Sequence, residues 1–371
     1  MKKFVVFILL FCIFNLNVNA AGSILMEYST GNILMDENSL EHAAPASMTK
    51  MMTLLLVMEK IDNGKIKLTD KVTISENASN MGGSQVYLQP NEIMTVDDLI
   101  KSVCIASAND SAVALAEFVG GTEEKFVKMM NEKVKELDLS NTNFANVHGL
   151  DSDNHYSCPN DMAVIAKELL KHEKILEYSS IYEEYLKKND GSSIWMVNTN
   201  KLIRYYNGLD GLKTGFTKNA GYCLTATAKR NNMRLISVVM GSETSETRSK
   251  ETIELLDYGF NNYKLKTIFD SDIKLGTVKV NNGKKEYVEL KLVDNVVDLV
   301  SIESEAKYDH KLKIKEITAP VSVGDIVGSL ELYKDGKKIK SFDITVKESV
   351  KKANLWDMYK KNFKYIVSGN V

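Results

Sequence analysis

The stretch Ala43-Ala44-Pro45-Ala46-Ser47-Met48-Thr49-Lys50 runs directly into Met51-Met52-Thr53-Leu54-Leu55-Leu56-Val57-Met58. This apolar continuation places the start of a buried helix near Ser47. Residues three apart share a helix face, which brings the Ser47 hydroxyl and the Lys50 amine within hydrogen-bond reach. A serine hydroxyl is a poor nucleophile until a neighbouring base takes its proton. Lysine ordinarily titrates at about 10.4, so a base working at about pH 7 needs its pKa lowered by about 3 pH units, roughly 4 kcal/mol. Burial and a second nearby cation supply such a shift. A serine at a helix N-terminus also feels positive partial charge, which favours negative charge developing beside it.

The Ser-x-x-Lys spacing alone says little, because Ser271/Lys274, Ser304/Lys307 and Ser349/Lys352 share it. None of those three has a long apolar helix behind it, and each reads as charged surface. Two further pieces sharpen the signal. Ser107-Ala108-Asn109 follows the apolar helical segment Leu99 to Ala106, and Lys213-Thr214-Gly215 precedes the strand-like Tyr222 to Lys229. The first pattern also fits Ser75-Glu76-Asn77 and Ser152-Asp153-Asn154, whereas the second occurs once. In this order and at these intervals the three form a specific set.

That set resembles the serine penicillin-recognising enzymes, and within them the low-molecular-mass D-alanyl-D-alanine carboxypeptidases. Phe144 to Asp151, Gly208 to Gly221 and Val239-Met240-Gly241 carry the same texture, and the likeness spans nearly the whole chain after residue 20. It implies that Ser47 attacks the carbonyl between two D-alanines of a peptidoglycan stem peptide while Lys50 takes its proton. Lys213 is then the nearby cation, Ser107 relays the proton to the leaving amine, and Asn109 orients Lys50 and the substrate amide. Backbone N–H groups of Ser47 and Phe216 face the oxyanion, each worth roughly 3 to 4 kcal/mol. Thr214, Thr217 and Arg248 hold the terminal carboxylate. β-Lactams are expected to acylate Ser47.

Apolar periodicity predicts helices at Met48 to Ile61, Val96 to Val119, Glu123 to Leu137, Asp161 to His172 and Arg248 to Tyr258. Alternation predicts strands at Ala21 to Tyr28, Tyr222 to Lys229 and Met233 to Gly241. Residues 21–265 therefore read as an α/β (α+β) catalytic domain, with the β-lactamase/transpeptidase-like fold that the resemblance implies. Six short alternating segments between Ile273 and Val346, separated by turns such as Asn281-Asn282-Gly283 and Lys334-Asp335-Gly336, read as a small all-β domain over 266–348.

In the tail, residues 349–371, a helix from Leu355 to Val367 at about 100° per residue gathers Leu355, Trp356, Met358, Tyr359, Phe363, Tyr365, Ile366 and Val367 on one face, opposite Asp357, Lys360, Lys361 and Lys364. Such a helix suits the lipid headgroup region, its charges excluding a transmembrane reading. The plainer alternative is a helix docked on the β domain.

The 371 residues, 44% hydrophobic and 26% charged, have ordinary globular composition, and a net charge of -2 provides no field for nucleic acid. Lys2 and Lys3, the apolar run Phe4 to Phe14 and Val18-Asn19-Ala20 read as a secretory signal over 1–20, the run falling short of the roughly 20 residues that span a bilayer. The expected location is thus outside the cell, at the outer face of the cytoplasmic membrane. Of Cys104, Cys158 and Cys223, which remain after the signal, at most one pair can bridge, and Cys104 and Cys223 read as plain buried packing.

His148, His155, Asp151 and Asp153 are zinc-type donors, but their spacing matches no metal signature. A calcium loop fails because Tyr156 stands where glycine is required and Met162 where glutamate is. No metal or other cofactor is expected. Two rival readings are a β-lactamase, for which a glutamate-bearing loop between Asn109 and Lys213 is not evident, and a non-catalytic peptidoglycan-binding module.

Overall fold

The computed structural model describes residues 22–188, 191–303 and 306–360. They fall into two compact units, the first ending at Phe260 and the second beginning at Asn261. This division comes a few residues before the boundary expected after residue 265, because Tyr263–Phe269 is already a strand of the second unit.

The first unit opens with a hairpin of β1 (Gly22–Glu27) and β2 (Ile33–Glu37). A 3-10 turn, Ala46–Thr49, leads into α1 (Lys50–Asp62), followed by α2 (Val96–Ile105), α3 (Asn109–Gly120), α4 (Glu123–Glu136) and α5 (Pro159–Leu169). A second hairpin pairs β3 (Glu183–Lys187) with β4 (Ser193–Val197). Then come β5 (Leu209–Thr217), β6 (Gly221–Arg230), β7 (Met233–Ser242) and α6 (Ser245–Asn262). Five strands form one antiparallel sheet in the order β2-β1-β7-β6-β5.

Every residue of α1 from Lys50 to Met58 is buried, so this helix is the centre of the core and not an amphipathic cover. On the sheet, α6 packs through Gly259: a Cβ there would lie 2.5 Å from Leu235 and 3.0 Å from Leu25. Strand β5 was not evident in the sequence, since Lys213-Thr214-Gly215 lacks strand composition. The ladder with β6, which pairs Thr214 with Leu224 and Phe216 with Tyr222, makes it a strand and leaves it at the sheet edge.

The helix expected over Val96 to Val119 is two helices. Thr95 caps α2 by accepting from Asp98 N at 3.0 Å. The chain leaves the helix at Ala106, and Ser107 adopts a left-handed backbone with φ 60°. A right-handed helix cannot pass through such a residue, so α3 restarts at Asn109.

The second unit contains β8 (Tyr263–Phe269), β9 (Thr277–Asn281), β10 (Tyr287–Leu292), β11 (Val296–Ser301), β12 (Tyr308–Ile314), β13 (Ile317–Thr318), β14 (Gly328–Lys334) and β15 (Lys337–Val346). Six strands pair in the order β12-β14-β15-β10-β9-β13, and β8 pairs with β11. Its separate apolar core includes Leu292, Leu332, Ile344 and Val346. Residues 355–360 are helical, opened by a reciprocal cap in which Asp357 N donates to Asn354 Oδ1 at 2.8 Å and Asn354 N to Asp357 Oδ2 at 3.0 Å. The remainder of the expected tail helix, 361–367, lies outside the described residues, as does the expected signal segment. Among the described residues no helix is long and apolar enough to cross a membrane.

Candidate active site

Ser47 lies in the 3-10 turn and Lys50 is the first residue of α1. Their spacing stacks the side chains, and Lys50 Nζ donates to Ser47 Oγ at 2.9 Å and to His148 O at 2.7 Å. Two glycines allow neighbouring backbone to crowd the turn. A Cβ at Gly149, where φ is 91°, would sit 1.8 Å from Ala46 O. One at Gly215 on β5 would sit 2.9 Å from Pro45 O.

Lys50 and Lys213 are both buried, at 0% and 2% exposure. Burial, and then the charge of Lys213, hold the Lys50 pKa well below the usual lysine range, against the opposing pull of Asp110. Burial pushes Lys213 down to about 7, with Cys104 opposing and Arg248 adding to the effect. Lys213 Nζ donates to Thr214 O at 3.1 Å.

A cavity of about 930 Å³ is lined by Ser47, Ser107, Thr214, Gly215, Phe216 and Arg248 among others. Arg248, on the first turn of α6, is 7% exposed; its Nη2 donates to Ser249 Oγ at 3.2 Å, and its buried Nε has no partner among the described residues. Phe216 packs on Tyr222 with ring centroids 4.3 Å apart. Thr214 Oγ1 donates to Thr199 Oγ1 at 2.7 Å. Thr217 is not among the lining residues, for its hydroxyl donates to Asp151 Oδ1 at 2.7 Å and accepts from Ala220 N at 3.0 Å.

Among the described residues Asn109 makes no hydrogen bond to Lys50. Its Nδ2 donates to Gly82 O at 2.6 Å and its backbone N to Ser84 O at 2.7 Å, while its buried Oδ1 has no partner among the described residues. The Lys50 amine is oriented instead by the carbonyl of His148. Asp110, which the sequence reading passed over, is fully buried and accepts from Val86 N and Leu88 N, both at 3.1 Å. Asn109 and Asp110 together fasten the 82–88 loop, whose Ser84 lines the cavity. Thr199 was likewise missed. The one available signal for Asp110 was an acid on the first turn of an apolar helix.

Both histidines are used internally. His155 Nδ1 accepts from Ala145 N at 2.9 Å, which leaves the proton on Nε2, 2.8 Å from Thr49 Oγ1. His148 Nδ1 accepts from Leu150 N at 3.1 Å. Cys104, Cys158 and Cys223 are buried and free, and Cys158 caps α5 by accepting from Asp161 N at 3.5 Å.

A serine hydroxyl bonded to a buried amine, beside a second buried amine and a guanidinium that lines the same cavity, has what acyl transfer through serine requires. The chain belongs to the D-alanyl-D-alanine carboxypeptidase family, which matches residues 13–244, and the C-terminal domain described for penicillin-binding protein 5 matches residues 263–352. It is 46% identical to D-alanyl-D-alanine carboxypeptidase DacF of Bacillus subtilis over 92% of this chain and 88% of that one. With DacC of Escherichia coli it shares 36% over 94% of this chain and 89% of that one. Among solved structures, penicillin binding protein 5 from Haemophilus influenzae matches with a TM-score of 0.73 at 36% identity, covering 90% of this chain and 98% of that one. Penicillin-binding protein D2 from Listeria monocytogenes, in its ampicillin-bound form, matches with a TM-score of 0.60 at 32% identity, covering 66% and 99%.

Proposed function

We propose that the protein is a serine D,D-carboxypeptidase that removes the terminal D-alanine from peptidoglycan stem peptides through a Ser47 acyl-enzyme. The observation that carries this reading is the buried Lys50 amine 2.9 Å from Ser47 Oγ, its pKa lowered by burial and then by the charge of Lys213. A neutral Lys50 keeps an N–H on His148 O and turns its lone pair to the Ser47 hydroxyl.

Ser47 Oγ then bonds the carbonyl carbon as its proton passes to Lys50. The resulting oxyanion faces the backbone N–H groups of Ser47 and Phe216. Collapse breaks the C–N bond, and the Lys50 proton travels through Ser107 to the departing amine. Water, deprotonated by the same amine, then releases Ser47. Arg248 and Thr214, which both line the cavity, hold the terminal carboxylate. Asn109 Oδ1 accepts from the substrate amide, and Thr217 supports the β5–β6 turn through Asp151. A β-lactam takes the same course, but its opened ring stays tethered to the acyl group.

The family and the signal-like leader support export, with the aromatic tail at the outer membrane surface. On this reading residues 1–20 act as the leader, the first unit as the catalytic domain, the second unit as a β domain, and the tail from Leu355 as the membrane-surface segment.

The test is D-alanine release from a pentapeptide ending in D-Ala-D-Ala by the wild type and Ser47→Ala, with mass spectrometry after penicillin addition. Release and one stable adduct in the wild type alone are expected. Equal release by both proteins would sink the proposal, and rapid turnover of a chromogenic cephalosporin would point to a β-lactamase.

A further inference from the structure

The β3–β4 hairpin carries a surface that the chemistry at Ser47 does not use. Alternation turns Leu186 and Met196 inward, each 2% exposed. Tyr185 and Trp195, paired directly across the ladder, face water at 62% and 58% exposure. The hairpin is firmly held: Lys188 Nζ lies 3.2 Å from Glu92 Oε2, both side chains nearly buried, and donates to Tyr87 O at 2.6 Å. Tyr87 is itself exposed. Trp195 Nε1 is fixed by Glu183 Oε2 at 3.2 Å. A rigid set of exposed aromatic rings is the kind of surface that marks a binding face.

Chain segments next to this ridge also contribute to the wall of the substrate cavity. Just beyond β4, Thr199 and Lys201 line the cavity, and Lys201 Nζ lies 5.5 Å from the ring centroid of Tyr182, which directly precedes β3. From the other side, the loop bearing Tyr87 also carries the cavity-lining Ser84. Glu183, Lys187 and Ser193 share the outward face with Tyr185 and Trp195. Aromatic faces bordered by hydrogen-bonding groups match a pyranose ring, which has an apolar C–H face and a rim of hydroxyls.

We propose that the Tyr185–Trp195 ridge docks the sugar rings of a polysaccharide, namely the glycan strand to which the stem peptide is attached. The choice of polymer rests on the carboxypeptidase reading above. The ridge holds the strand while its peptide enters the adjoining cavity, so it favours polymer over free peptide.

The test compares the full chain with a Tyr185→Ser/Trp195→Ser double variant in cosedimentation with purified peptidoglycan and in D-alanine release. Polymer binding and release from polymer should fall about tenfold or more in the variant, while release from a soluble diacylated peptide ending in D-Ala-D-Ala stays within about twofold. A soluble N-acetylglucosamine oligomer should compete with polymer for the wild type. Unchanged polymer binding by the variant would overturn the proposal and leave the ridge to a protein partner. Parallel loss on polymer and soluble peptide would overturn it too, making the hairpin a support of the site. A wild type that binds polymer yet releases no D-alanine would count against the carboxypeptidase reading alone, and cosedimentation of the variant would still decide the ridge.

Discussion

Gly215 approaches Ser47 so closely across two elements that a Cβ on Gly215 would lie 3.2 Å from Ser47 N. The edge strand β5 is thereby held against the turn that carries the hydroxyl, and the cavity forms along that seam.

Gly215→Ala should push β5 off the turn while its ladder to β6 preserves the fold. A displacement of this size is expected to slow acylation by penicillin about 100-fold with little change in melting temperature. Stopped-flow acylation beside calorimetry measures both, and a wild-type rate in the variant would contradict the seam's importance.

The two amines predict a bell-shaped dependence of kcat/KM on pH. Activity rises as Lys50 loses its proton, at a pH well below the usual lysine range, and falls as Lys213 loses its charge at about 7. Lys213→Gln should lower the maximum, remove the falling limb and move the rising limb to higher pH, because the charge that depresses Lys50 is gone. An unmoved rising limb would mean that the two amines are not coupled.

His148 and His155 have pKa values lowered to about 4, in both cases chiefly by burial. The unfolded chain takes up protons below about 6.5 that the folded one refuses until about 4. Stability is therefore complete above about pH 6.5 and is lost as pH falls toward 4, on the order of 3 kcal/mol for each residue. Urea midpoints at pH 7 and 4.5 should separate clearly, and His155→Gln should roughly halve the loss.

Asp110→Asn keeps the shape but removes the charge that receives Val86 N and Leu88 N. Loss of those charge-assisted bonds should destabilise the first unit by about 1 to 3 kcal/mol, read from denaturant midpoints. The Lys50 pKa should also fall, since the Asp110 carboxylate holds it up. A rising limb of the pH profile that stays in place would refute that electrostatic link.

Much of the catalytic unit was legible along the chain. The Ser47–Lys50 pair is local, a consequence of helix geometry over three residues, and so are the uninterrupted apolar run of α1 and the strand alternation around Leu235. Strand β5 was not legible because its partner in β6 and its place at the sheet edge create it. The break at Ser107 was hidden for a similar reason, its flanks both being apolar and helical.

Residue types and short-range periodicity thus specified the reacting groups, the family resemblance and the division into an α/β unit and an all-β unit. Folding alone decided that His148 O holds Lys50, that Asp110 and Asn109 fasten the 82–88 loop, and that Thr199 meets Thr214. These contacts join residues 15 to 98 positions apart, so they arise from packing against a shared core, which no local pattern records.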